Sequence, residues 1–308
     1  MSVKEILGKI VKRIVPYKVY KLIANGIIIV PAYYKTIIEE TERNFDLSLE
    51  DSDEKAILLM RKYAHILDKG LHREDATPGH SKVCYLTLKS LLDKLRLTAY
   101  SKDPSYHWAE EKIAKYEELQ DNPTAFTPYR GAVSKSTVGF DELFELMRQR
   151  RSNRCFTKAN VTNEEINKLK EVANWAASSC NKQPIRLFVT NNQDIARKCL
   201  ECCAGGTGFG ANIPSFWVFT ANIRGYVYPD EIFLPSIDTS LGAQNVFLAA
   251  QTMGLTGTIL TWGQHTKTDD STLRMLLDIP NDYSIIFCAV IGHAEFSYAT
   301  PVRKEIIK

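Results

Sequence analysis

The sequence predicts an α+β protein with an all-helical first part and a second part in which helices alternate with strands. Up to about residue 120, apolar residues recur at helical spacing between clear helix ends, and no strand pattern competes. After residue 137, short apolar runs typical of strands stand between amphipathic helices. The stretch from Asp121 to Thr137 carries turn and breaker residues. We therefore expect two regions, residues 1–137 and 138–308.

Composition narrows the class of protein. The chain has 308 residues, enough for one large domain or two modest ones, and a net charge of only +3. That charge gives no reason to expect nucleic acid as a partner. Seven cysteines, an odd number, do not suggest a disulfide framework, and the start lacks the pattern of a secretory signal. We expect a cytoplasmic protein.

The first 35 residues form an unusual basic segment. Val3, Ile6, Leu7 and Ile10 make an apolar helical stripe among lysines, and the apolar run that ends before Pro31 is too short to span a bilayer. Two interpretations remain open. The segment packs on the body of the protein, or it lies on an anionic membrane surface as a peripheral contact.

Three helices are predicted in the rest of the first region. The first runs from Ser52, its N-cap, to Leu67, with Gly70 as its stop. The second covers residues 82–95. The third begins at the Asp103 cap with proline in its first turn, and ends near residue 119.

Histidines and cysteines give no metal site in this sequence. His65, His72 and His80 have spacings that fit no standard site. The CxxC pair Cys199 and Cys202 lacks a second pair or a histidine partner. We therefore expect structural histidines, small buried cysteines and no metal.

The second region begins with an amphipathic helix, in which Phe140, Leu143, Phe144 and Met147 share one face. A capping box at Thr162 then begins a helix that continues to about residue 177. A helix at residues 241–253 carries almost no charge, so it must be buried in the core or against a second subunit. Strands are predicted at residues 185–190, 216–221, 258–261 and 285–291.

Two motifs in this region suggest a ligand site. The first is Arg150-Arg151-Ser152-Asn153-Arg154-Cys155-Phe156, whose guanidinium groups and hydroxyl could bind a phosphate. The alternative is a solvated basic cap on the preceding helix. The second is Ser178-Ser179-Cys180-Asn181-Lys182-Gln183-Pro184, directly before a strand. In this order and at this separation, the pair resembles the FMN-dependent nitroreductase-like family.

The resemblance implies a fold, an assembly and an activity. The fold is a mostly antiparallel central sheet flanked by helices, in an intertwined homodimer. The activity is that of an FMN-dependent oxidoreductase, which transfers hydride from NAD(P)H through FMN to a small electron-poor acceptor such as a nitro or quinone compound. More loosely, the helical first region resembles the extension of family members associated with polysaccharide biosynthesis.

The resemblance also implies roles for particular residues, although no side chain is assigned as nucleophile or acid. Arg154 would lie near the flavin N1 and O2 atoms, and the segment before Gly263 would line the flavin ring. Trp262 has an alternative role as a core aromatic. The phosphate would be held by Arg150, Arg151, Ser152 and Arg303, the flavin rim would be reached by Ser178, Ser179, Asn181 and Gln183 from the other subunit, and the ring wall would be Leu260, Thr261 and Trp262.

Some features depart from the family pattern and keep other functions open. Ile185 stands where many relatives have tryptophan, and no long insertion is available as a substrate lid. The glycine-rich segment at residues 205–214 is either near the cofactor or a flexible loop. A flavin-binding accessory protein of a membrane-associated polysaccharide machine is one alternative, and a flavin-dependent dehydrogenase of a specialised substrate is another.

Overall fold

The computed structural model describes residues 50–128 and 130–304, together with the isolated positions 19 and 26. Apart from those two positions, the basic segment predicted at residues 1–35 lies outside the described residues.

The described part of the first region contains three helices that pack around their own core. They are α1 (Asp53–Leu71), α2 (Lys82–Leu95) and α3 (Pro104–Asp121), and their buried side chains include Leu67, Leu88 and Leu95. The Ser52 hydroxyl accepts a hydrogen bond from the backbone N–H of Lys55 at 3.2 Å, as its predicted role as N-cap requires. The predicted helices are therefore present at the predicted places.

The end of α1 differs from the prediction at Gly70. The helix runs past this residue to Leu71, so the glycine does not act as the stop. A Cβ atom added at Gly70 would overlap the imidazole of His80. The missing side chain thus permits close contact with the chain before α2, which a helix-end pattern cannot reveal.

The second region is an antiparallel sheet covered by helices. The strands lie in the order β1-β2-β4-β3, and every neighbouring pair is antiparallel. This confirms the predicted α+β fold with a mostly antiparallel sheet. The elements are α4 (Phe140–Gln149), α5 (Asn163–Asn174), β1 (Ile185–Thr190), α6 (Gln193–Glu201), β2 (Phe216–Asn222), α7 (Leu234–Thr252), β3 (Leu255–Thr261), α8 (Lys267–Leu277) and β4 (Tyr283–His293).

Both faces of the sheet are buried by helices. Side chains alternate along β2, because successive residues of a strand point to opposite faces. Phe216 and Val218 join the core cluster that includes residues of α6 and α8, whereas Trp217 and Phe219 join the cluster of α5 and α7. All residues of β2 are buried, so this strand is the centre of the domain.

Helix α7 begins earlier than predicted. The uncharged pattern predicts residues 241–253, but the helix begins at Leu234, with Pro235 in its first turn. The additional turns contain Asp238, which is 2% exposed. Its carboxylate is fully hydrogen bonded, as described below, and this satisfies a charge that would otherwise be costly to bury.

Helix α1 belongs to the first region and also packs against the second. It packs against the short 3₁₀ turns at Ser179–Asn181 and Ile223–Gly225. A Cβ atom at Gly225 would lie 3.1 Å from the Cβ atom of Leu58, so the backbone approaches α1 closely there. Among the described helices, none has the length and apolar character needed to cross a bilayer.

Candidate functional site

The arginine motif is held against the sheet by hydrogen bonds between side chains and backbone carbonyls. The Thr256 and Thr258 hydroxyls on β3 donate to the carbonyl oxygens of Arg151 and Asn153, at 2.8 and 2.6 Å. Asn153 is buried, and its side-chain amide donates to the carbonyl of Phe296 at 2.8 Å. The motif therefore has a defined conformation along β3 and the chain that follows β4.

Three arginines of the predicted phosphate site lie close together. Burial and then the positive charges of Arg303 and Arg151 lower the pKa of Arg150. Among the described residues, none of these three forms an ion pair. Arg151 donates to the carbonyl of Arg150 at 2.9 Å and also to the Thr300 hydroxyl, yet its Nε is buried without a hydrogen-bond partner. The cluster is a cationic centre with an unused donor, and an anion would satisfy both needs.

Arg154 and Ser152 are exposed beside this cluster. The Arg154 guanidinium lies 5.8 Å from the centre of the Phe209 ring, and its carbonyl accepts from the N–H of Gly210 at 3.2 Å. Gly208 has a φ of +83°, and a Cβ atom added there would lie 3.7 Å from Arg154 Cδ. The glycine-rich segment at residues 205–214 is thus a neighbour of Arg154.

The Ser178–Gln183 turn has an unusual backbone. Cys180, Asn181 and Gln183 adopt left-handed conformations with φ values of 51°, 53° and 53°. Each such non-glycine residue costs about 1–3 kcal/mol, and such strain concentrates at functional sites. The surrounding structure must therefore stabilise this turn.

Hydrogen bonds to a buried carboxylate provide part of that support. Both oxygens of Asp238 lie 3.0 Å from the backbone N–H of Ser179, and one also accepts from the Ser179 hydroxyl at 3.0 Å. The Tyr226 hydroxyl donates to Asp238 at 2.7 Å. Burial and then the charge of Asp238 raise the pKa of Tyr226, so this tyrosine remains a protonated donor.

Hydrogen bonds inside the turn connect the other predicted residues. The Ser178 hydroxyl accepts from the backbone N–H of Gln183 at 3.0 Å, and the Gln183 amide donates to Asn181 Oδ1 at 3.2 Å. The structure therefore brings all four predicted flavin-rim residues into one compact turn.

Sequence reasoning missed a buried charge cluster under this turn. Lys182 is fully buried, donates to Glu231 Oε1 at 2.5 Å and lies 4.4 Å from the centre of the Tyr226 ring. Lys62 on α1 lies 3.7 Å from the same oxygen of Glu231. Burial raises the pKa of Glu231, but the hydrogen bond from Lys182 and the charges of both lysines outweigh it and lower the pKa. The one signal in the sequence was Lys182 itself, a charged residue within a motif of otherwise neutral residues.

The predicted ring wall divides between the two faces of β3. Leu260 and Trp262 are 2% and 4% exposed and belong to the core, and Trp262 stacks on His265 with ring centres 4.5 Å apart. The burial of these two side chains supports the alternative role of Trp262 as a core aromatic. Thr261 is exposed, together with Ile259 on the same face of the strand.

Comparisons with known proteins are consistent with the two motifs. Residues 147–208 match the sequence model of the Nitroreductase family, a span that contains both motifs. A protein of Archaeoglobus fulgidus, provisionally named NADH dehydrogenase/NAD(P)H nitroreductase, is 25% identical over 153 residues, which cover 50% of this chain and 86% of that protein. These matches confirm the resemblance to the nitroreductase family.

Two solved structures are also similar to this chain. An FMN-dependent nitroreductase of Clostridium difficile R20291 has a TM-score of 0.45 and 21% identity, over 52% of this chain and 91% of that chain. The NADPH:FMN oxidoreductase of Vibrio harveyi, complexed with NAD+, has a TM-score of 0.44 and 21% identity, over 52% of this chain and 72% of that chain.

Proposed function

We propose that the chain is an FMN-dependent NAD(P)H oxidoreductase that reduces a small electron-poor acceptor. The observation that carries this proposal is the cluster of Arg150, Arg151 and Arg303, which includes a buried guanidinium nitrogen without a partner. Arg150 and Arg151 lie within the family match, whereas Arg303 lies outside it. We further propose that residues 1–137 are an extension and residues 138–308 are the flavin-binding region.

The residues present fit a flavin mononucleotide. Arg150, Arg151 and Arg303, with Ser152, would bind its phosphate, because guanidinium groups donate to phosphate oxygens in pairs. Bound FMN would supply the redox chemistry between NAD(P)H and the acceptor. The charge of Arg154 and the polar groups of the Ser178–Gln183 turn would orient the flavin ring.

We also propose that the active form is a homodimer. Helix α4 has no buried residue in this chain, and α7 exposes apolar side chains as well. Apolar faces of this size are typical of surfaces covered by a partner. The exposed residues are Phe140, Leu143, Phe144 and Met147 on α4, at 42–77% exposure, and Ile237 and Leu241 on α7, at 51% and 46%.

Absorbance spectroscopy tests the cofactor assignment. The purified protein should be yellow, and Arg151→Ala should weaken FMN binding by about 10–100-fold, since a hydrogen bond to a charged group contributes about 1.5–3 kcal/mol. Arg73→Ala is the matched control, because Arg73 pairs with Asp75 at an exposed position of the first region. A colourless protein that binds no added FMN would refute the proposal.

Turnover separates an enzyme from a flavin-binding accessory protein. We expect NADH or NADPH to bleach the flavin without oxygen, and a quinone to restore its colour. Bound FMN that nicotinamides do not reduce would favour the accessory protein instead.

Mixed dimers test whether two subunits share each site. We propose that the arginine cluster of one subunit and the Ser178–Gln183 turn of the other bind the same flavin. Mixed dimers of Arg151→Ala and Ser179→Ala subunits, separated from the two homodimers, should then hold one intact site each and recover half of the tight FMN binding. If one chain contributes both motifs, the mixture should bind no better than the separate variants.

A further inference from the structure

We propose that helix α1 positions the flavin-binding turn, with Lys62 as the positioning residue that acts through Glu231 and Lys182. This inference rests on the proposed function, because it assigns the helical region a role at the same site. No feature of the sequence motifs points to α1, which lies more than 100 residues before the turn.

Two successive residues of α1 reach Lys182 in different ways. Lys62 approaches Glu231 Oε1, the atom that also accepts from the Lys182 ammonium group. Arg61 Nη1 lies 3.5 Å from the carbonyl oxygen of Lys182. Arg61 is itself held by Asp103, at 2.8 Å, and by the Ser105 hydroxyl, at 2.8 Å. The helical region thus contacts the carbonyl of Lys182 directly through Arg61, and its side chain indirectly through Glu231.

The location of Lys182 makes this contact important for the site. It lies between Asn181 and Gln183, which are both left-handed and are both predicted to reach the flavin. A shift of the Lys182 backbone must move these two neighbours as well. The contacts that fix the position of Lys182 therefore also fix the polar groups that would contact the flavin.

Lys62 is the second cation at Glu231. Lys182 and Lys62 both approach Glu231 Oε1, at 2.5 and 3.7 Å. Lys62 also lies 4.5 Å from the centre of the Tyr228 ring, and its side chain is only 8% exposed. Its removal would leave Lys182 as the sole cation at Glu231 Oε1 among the described residues, so the carboxylate that anchors Lys182 would be held less firmly.

Flavin titrations of full-length variants test the proposal. Lys62→Met keeps the aliphatic stem but removes the charge, and we expect about tenfold weaker FMN binding, with Lys62→Arg recovering part of the loss. Lys69→Met, at an exposed lysine of the same helix, should bind FMN like the wild type. The double variant Lys62→Met/Glu231→Gln should bind no more weakly than Glu231→Gln alone. Thermal melts establish that each variant is folded at the titration temperature.

A comparison of FMN with riboflavin separates this role from the phosphate site. Lys62→Met should weaken both ligands by a similar factor, because the turn contacts the ring that they share. Arg151→Ala should weaken FMN alone. Wild-type affinity in Lys62→Met, or a loss confined to FMN, would overturn the inference and leave the proposed function in place. A wild-type chain that binds no FMN would overturn both.

Discussion

Asp238 is the residue whose loss should most clearly expose the strain in the Ser178–Gln183 turn. Its carboxylate accepts from the Ser179 backbone, the Ser179 hydroxyl and the Tyr226 hydroxyl, and it is almost fully buried. Asp238→Ala leaves these donors without an acceptor. At about 1.5–3 kcal/mol for each hydrogen bond to a charged group, the three bonds give an upper range of about 4.5–9 kcal/mol.

The net loss should be smaller than that sum. The Ser179 hydroxyl is only half-buried and can bond to water, and removal of the carboxylate also removes its own desolvation cost. We expect a decrease of about 3–5 kcal/mol in the free energy of unfolding, because the Ser179 N–H and the Tyr226 hydroxyl lose their acceptor, at about 1–3 kcal/mol for each buried group left unsatisfied. Because the turn contributes to the proposed flavin site, FMN affinity should fall as well.

Urea unfolding followed by circular dichroism measures this loss, and a flavin titration measures the change in affinity. Asp230→Ala is the control, since Asp230 is exposed on the neighbouring loop. Asp238→Asn should lose less stability than the alanine variant, because its amide oxygen can still accept. A loss below about 1 kcal/mol for Asp238→Ala would refute the reasoning, since water would then be shown to replace all three bonds.

Three further predictions concern the core and the titrating groups. Gly257→Ala should destabilise the sheet by about 1–3 kcal/mol, because the new Cβ atom would lie 2.7 Å from a carbonyl oxygen of β4. Gly210→Ala is the control, because nothing lies within 4 Å of a Cβ atom added there. Equal thermal melts of the two variants would contradict the prediction. Burial raises the pKa of Cys199 to about 12 and of Cys202 to about 11, so iodoacetamide at pH 8 should label them only after unfolding, and mass spectrometry of the native protein would show any exception. The pKa of Glu231 is lowered in the folded state, so its stabilisation is present above the unfolded pKa of about 4.3 and is lost as pH falls through the folded value. Glu231→Gln should therefore differ most from the wild type at neutral pH, and urea unfolding from pH 3 to 7 would show a constant difference if this is wrong.

Local signals were sufficient for most helix ends. Ser52, Asp103 and Thr162 each cap a helix by accepting a hydrogen bond from a backbone N–H two or three residues later. Such a bond depends on neighbouring residues alone, so the sequence contains the whole interaction. Helix α7 is different, because Asp238 and the serines of its first turns do not favour a buried helix locally. Bonds to Ser179, 59 residues away, and to Tyr226, 12 residues away, stabilise this part.

The arginine motif and the turn could be proposed as a site from the sequence because the residues of each motif are adjacent and form a familiar pattern. Their support could not be predicted. Lys182 and Glu231 are 49 residues apart, and Arg61 and Lys182 are 121 residues apart, so only the folded chain shows these contacts. The alternation of side chains along a strand indicates in part which residues of β3 are buried. Leu260 and Trp262 share one face, whereas Thr261 lies on the other.

The contact of α1 with the base of the turn also bears on how this protein should be dissected. An excised C-terminal half would open Lys182 and Glu231 to solvent and would lack Arg61 and Lys62. Water would then compete for a pair that the intact molecule keeps dry. FMN affinities measured on such a fragment would describe a loosened turn, and engineering that grafts this region onto other scaffolds should carry the helix with it.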